Sequence, residues 1–150
     1  MEAHIGVDAK SGLMHTVTGT AANVADIAQT HELLHGEEKE VCADAGCLGV
    51  EERGEIAAKA GNVQWRVAAK RDKIKPMAEG VLKELVVKLE RLKASVRAKV
   101  EHPFHVVKNL FKHRKVRYRG LAKNTAQLHT LFALATLVVA KRSLLAECRA

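Results

Sequence analysis

Two acids stand in stretches of opposite character. Asp44 closes the run Glu40-Val41-Cys42-Ala43-Asp44-Ala45-Gly46. Glu101 lies within Arg97-Ala98-Lys99-Val100-Glu101-His102-Pro103-Phe104-His105-Val106-Val107-Lys108. A carboxylate at the end of a buried strand sits where open α/β sheets place their ligands. A second carboxylate on a basic helix completes what a Mg²⁺-dependent phosphoryl-transfer site needs, because Mg²⁺ is a hard cation held by one or two carboxylates and substrate phosphates. The surrounding Lys and Arg would grip a polyanionic backbone. On spacing alone, two plainer readings stay open. Asp44 also fits a turn before a helix, and Glu101 fits a surface ion-pair ladder with Arg97 and Lys108, which share roughly one helical face with it.

The elements that must position these acids follow from hydrophobic period. Ala3–Val7 and Leu13–Thr20 read as a β-hairpin around the turn Asp8-Ala9-Lys10-Ser11-Gly12. A helix is predicted from about Val24 to His35, with Asn23 as its N-cap. A short apolar strand over Glu40–Ala45 precedes a helix over Gly49–Ala60, stopped by Gly61. Val63–Ala69 alternates as another strand. This order predicts an α/β fold with one mixed sheet and helices on its faces. After Pro76 the text turns helical: Met77–Val100 carries Val81, Leu85, Val86, Leu89, Leu92 and Val96 at helical spacing. Pro103 is expected to kink or restart that helix, because it lacks a backbone donor and crowds the preceding turn. Lys112–Gly120 reads as a basic loop or edge strand, and Leu121–Leu145 as the last helix, capped at Asn124 or Thr125.

Charge divides the chain of 150 residues. The net +8 is made of −7 over residues 1–65 and +15 over residues 66–150. The basic half predicts a polyanionic partner. The 3% aromatic content argues against stacking platforms for single strands. We expect one domain over residues 1–150, with a sheet portion at 1–69 and a basic helical portion at 70–150. Cys42, Cys47 and Cys148 form no disulfide or zinc pattern, which fits a reducing cytoplasm. The apolar run Leu131–Ala140 is about half the ~20 residues of a membrane span, so no membrane partner is expected. His102, His105 and His113 are expected to meet phosphate or solvent rather than zinc, for want of partners at ligand spacing.

With these residues in order, the chain resembles the DDE transposases of bacterial insertion sequences, in the insertion-sequence-five-like group. Ala43-Asp44-Ala45-Gly46-x-x-Gly49 looks like their second-aspartate box, and Arg97-x₃-Glu101-x₆-Lys108 is similar to their signature around the third acid. His4–Asp8 with Gly12, Thr18–Val24 and Val116–Asn124 fit the same family text. The resemblance implies an RNase H-like fold and a two-metal mechanism with Mg²⁺ or Mn²⁺, in which paired ions clamp the attacking and leaving oxygens. It implies that Asp44 and Glu101 are two of three metal-binding acids. Arg97 and Lys108 would meet double-stranded DNA near the scissile phosphate, with Lys99, Arg114, Lys115, Arg117 and Arg119 as further DNA contacts. The implied partners are insertion-sequence ends and target DNA in a bacterial nucleoid, with a second copy or a full-length transposase as protein partner.

The first acid of the family belongs on a first strand that precedes the hairpin. Asp8 matches a turn position instead. We therefore expect the C-terminal portion of such a catalytic domain, lacking its first strand and first catalytic Asp. As a truncated copy it would be inactive alone. Cys47 stands where the family commonly has Tyr, and is expected to act as a small buried residue. An alternative is a non-catalytic DNA-binding protein that modulates the full-length enzyme. A further one is an interaction module pairing through Leu128–Leu145.

Overall fold

Val, Thr and His residues build the first two strands, as β-branched side chains suit a pleated, half-buried surface. The computed structural model describes residues 1–60 and 62–148. In it β1 (Glu2–Val7) and β2 (Met14–Thr20) pair antiparallel, from Glu2 opposite Thr20 to Val7 opposite Met14. Asp8 makes the turn between them. Its Oδ1 accepts the N–H groups of Lys10 and Ser11, at 3.2 and 2.6 Å, and the Ser11 hydroxyl at 2.6 Å. This is the turn role expected of Asp8. His4, in the middle of β1, is buried. Its Nδ1 lies 3.0 Å from Asp26 Oδ1 and its Nε2 lies 2.8 Å from Thr20 Oγ1. The ring thereby fastens the hairpin to the start of α1 (Asp26–Leu33). That helix begins two residues later than expected. Asn23 is not its N-cap but lies in a turn closed by the Val24 N–H on the Ala21 carbonyl at 3.1 Å.

The chain forms two compact units. One joins Met1–Leu33 to Lys99–Ala150, and the other is Leu34–Ala98. In the first, the core is Ile5, Val106, Val107, Phe132 and Ala135. It draws on the hairpin, on a π-helical segment at Val106–Leu110, and on α5 (Leu121–Glu147). Phe104 meets Phe132 edge to face, centroids 5.2 Å apart, a favoured aromatic geometry.

In the second unit, β3 (Glu40–Ala43) and β4 (Gln64–Val67) pair parallel, Val41 opposite Trp65 and Ala43 opposite Val67. A parallel pair needs a crossover of a dozen or more residues. Here it contains 3₁₀ turns at Ala45–Cys47 and Val50–Glu52, then α2 (Gly54–Ala60). Val50 and Ile56 are buried beneath it, and Cys47 is buried as expected. Gly61, expected to stop this helix, lies outside the described residues. A short α3 (Arg71–Ile74) precedes α4 (Val81–His105), within which the unit boundary falls.

Two expectations are corrected. The four strands do not share one mixed sheet; among the described residues they form two separate two-stranded sheets. Pro103 does not restart its helix: α4 runs through it to His105, and the chain widens into the π-helical segment just beyond. There the Phe111 N–H reaches the Val106 carbonyl at 3.1 Å, five residues back. Lys112–Gly120 is a loop, one of the two forms expected of it. The apolar stripe of α4 is only partly covered, since Val81, Leu85, Leu89 and Leu92 are exposed.

The bonds from Ser11 hold the Asp8 carboxyl below its ordinary value of 3.8. Its contribution to the turn is complete above the unfolded value, about 3.9, and is lost as pH falls through the lower folded one. An NMR titration of the Asp8 carboxyl is expected to show a midpoint below 3.8. In Ser11→Ala that midpoint rises toward the ordinary value.

Candidate functional site

Asp44 follows directly on the carboxyl end of β3. It caps the 3₁₀ turn at Ala45–Cys47, its Oδ1 accepting the Ala45 N–H at 2.7 Å. The same oxygen accepts a hydrogen bond from the guanidinium of Arg97, on α4. Asp44 thus has the turn role open to it from sequence and an ion pair besides. Its side chain is 76% exposed. A pair so open to water is worth at most about 1 kcal/mol. Arg97 therefore holds Asp44 in a form that another cation can replace. Arg97 keeps its Nε buried and without a hydrogen-bond partner among the described residues.

A tie to β4 sets where Arg97 stands. Glu90 and Lys93, one turn apart on α4, pair at 2.8 Å and are both largely covered. The Glu90 carboxylate also accepts the Ala69 N–H at 3.0 Å, and Lys93 Nζ donates to the Val67 carbonyl at 2.9 Å. Burial pushes the Glu90 carboxyl up, but the bonds from Lys93 and Ala69 and the nearby positive charge outweigh it, and the net direction is down. The i, i+3 spacing of Glu90 and Lys93 was the available signal for this tie.

Glu101 is exposed on the penultimate turn of α4, without an ion pair or side-chain hydrogen bond among the described residues. Arg97, one turn before it, is paired with Asp44 instead. The ladder open from sequence does not form between these two residues. Lys108 falls in the π-helical segment, whose longer turn breaks the period that put it on the face of Glu101. Its ammonium stands 5.7 Å from the centre of the Phe104 ring. Lys99 donates to the carbonyls of Ala9 and Lys10 in the hairpin turn, so its charge is partly spent on structure.

The loop after the π-helical segment is basic and exposed, with Lys112, Arg114, Lys115, Arg117 and Arg119 in it and Lys123 just beyond. Arg114 is turned back, its Nε donating to the Lys108 carbonyl at 3.4 Å and its NH2 to Asn109 Oδ1 at 3.3 Å. His113 is half-buried; burial, then the charge of Arg117, lowers its pKa and favours the neutral ring. Asn124 does not cap α5, which starts three residues earlier. It is buried and bonded to the backbone of Tyr118 and Gly120.

A family model described as a transposase DDE domain matches residues 1–137, and the chain belongs to that family. The family acts on DNA. No solved structure matches the chain. No helix among the described residues is long and apolar enough to cross a membrane.

The family typically uses divalent metal ions. Such ions need several oxygen ligands converging on one point. Among the described residues no group of three or more His, Cys, Asp or Glu is arranged to hold a metal. One oxygen of Asp44 already takes two donors. The described residues do not by themselves fit a two-metal cage.

Removing Glu90 would leave the Lys93 ammonium and the Ala69 N–H half-buried without their acceptor. Glu90→Ala is expected to cost about 1–3 kcal/mol, measured by urea unfolding. Glu55→Ala, at an exposed pair with Arg53, is expected to cost less than about 1 kcal/mol.

Proposed function

We propose that this chain is the DNA-handling portion of an insertion-sequence transposase. In this reading it binds double-stranded DNA at insertion-sequence ends and target sites. Asp44 and Glu101 are two of the carboxylates that serve Mg²⁺-dependent cleavage and strand transfer. Arg97 and Lys108 lie near the scissile phosphate, and the exposed cations of the loop grip the flanking backbone. The observation that carries this reading is the exposed basic stretch from Lys112 to Lys123 in a chain of the DDE transposase family. Cations in such an array exchange condensed counterions for phosphates.

In this reading the chain does not carry out the full reaction by itself. Two-metal catalysis clamps both the attacking and the leaving oxygen, and no described cluster of three ligands supports it. We expect the purified chain to bind duplex DNA, with affinity falling steeply as salt rises. We expect no nicking of supercoiled plasmid with Mg²⁺ or Mn²⁺. Nicking that Asp44→Ala abolishes would sink the claim of inactivity. Absence of duplex binding even at low salt would sink the DNA reading itself.

The pairing of Asp44 with Arg97 favours a second reading, a non-catalytic DNA-binding protein that modulates a full-length transposase. Under it, Asp44→Ala with Glu101→Ala leaves DNA binding intact. The pair also leaves intact any inhibition of an active transposase by the added chain. Under the first reading, a complete transposase carrying the same two changes no longer cleaves.

A further inference from the structure

We propose that Asn124 is a positioning residue that pre-shapes the loop presenting Arg117 and Arg119 to DNA phosphates; this rests on the DNA-binding reading above. Asn124 is 6% exposed in the first turns of α5. Its Oδ1 accepts the Tyr118 N–H at 3.2 Å, and its Nδ2 donates to the Tyr118 carbonyl at 2.6 Å and the Gly120 carbonyl at 2.7 Å. The carboxamide therefore grips Tyr118 on both backbone groups, much as a neighbouring peptide would. All its donors and one acceptor are committed to the loop.

What this amide holds is not core. Val116, Tyr118 and Leu121 are about half exposed, and Arg117 and Arg119 are exposed. A buried polar side chain spent on a solvent-facing segment contributes chiefly to its shape. Gly120 completes that shape at φ +90°, with nothing within 4 Å of an added Cβ. Arg114 is turned back onto Lys108 and Asn109, whereas Arg117 and Arg119 are exposed on either side of Tyr118, the residue that Asn124 holds. Ordering a loop on binding costs affinity. A loop already pinned by Asn124 avoids that cost without adding a phosphate contact of its own.

The distinction is measurable. Affinity of the 150-residue chain for a short fluorescent duplex is followed by anisotropy from about 50 to 200 mM salt. Arg117→Ala with Arg119→Ala is expected to reduce the slope of log affinity against log salt by about 1.8, at ~0.9 per phosphate. Asn124→Ala is expected to lower affinity about tenfold at every salt concentration with the slope unchanged, and to remove hydrogen-exchange protection of the Tyr118 amide. Loss of folded protein would lower affinity in the same way, so the expected result includes unchanged hydrogen-exchange protection in the rest of α5, with the loss confined to the loop. Gly120→Ala strains the same loop at a carbonyl the amide holds, while leaving the Asn124 side chain itself in place. It is expected to lower affinity at unchanged slope too, and it decides the matter if Asn124→Ala does not fold.

Wild-type affinity in Gly120→Ala and in folded Asn124→Ala, beside a reduced slope for the arginine pair, overturns the role of Asn124 alone. A wild-type slope and affinity for the arginine pair overturns the loop as a DNA contact and this inference with it, leaving DNA binding elsewhere intact. No binding by the wild-type chain at low salt overturns the functional reading as well.

Discussion

Phe132 is 1% exposed, and the elements of the larger unit are arranged to keep it so. Ile5 from the hairpin, Val106 and Val107 from the π-helical segment, and Ala135 one turn along α5 form the core with it. Gly19 allows β2 to approach α5, since an added Cβ there would come within 2.6 Å of the Thr125 hydroxyl. Burying one such aromatic contributes roughly 1.5–3 kcal/mol, which matters because an isolated hairpin is marginal in water. The hairpin persists by lending its apolar face to this core, and His4 ties its far end to α1.

The smaller unit has less to bury and relies more on polar ties. Leu34, Val50 and Ile56 are its large buried side chains among the described residues, and its two strands are four residues each. Glu90 and Lys93 reach across to the end of β4 and fix the helix that carries Arg97. That arrangement brings a cation onto Asp44, where solvent keeps the pair weak. The exposed acids are thus managed in different ways. Asp8 is consumed by its turn and Asp44 is shared between a cap and a guanidinium, while Glu101 stands open on its helix.

Local features were legible in the sequence because their causes are local. The hairpin follows from strand-forming residues about an Asp turn, and the strand-helix-strand order of the smaller unit follows from short apolar runs cut by glycine. The candidate acids and the basic loop were visible as residue types in a charge pattern. The start of α1 at Asp26 and the cap of α5 were misjudged because Asn23 and Asn124 looked like caps, and side-chain amides serve turns and loop clips equally well. Pro103 looked like a kink or a restart. The widening of the helix at Val106–Leu110, on whose buried face Val106 and Val107 help cover Phe132, cannot be read from a proline.

By itself the sequence determined the alternation of elements, the turn role of Asp8, the concentration of positive charge in residues 66–150 and membership of a transposase family. Each depends on neighbours in the chain or on composition. Only the tertiary structure decided that the strands divide into two ladders, and that Arg97 turns to Asp44, fifty-three residues away, rather than to Glu101 one turn along its helix. It also decided that Asn124 holds a loop rather than a helix end. Those are choices among partners of similar chemistry, and they are settled by which backbone groups folding brings within hydrogen-bond reach.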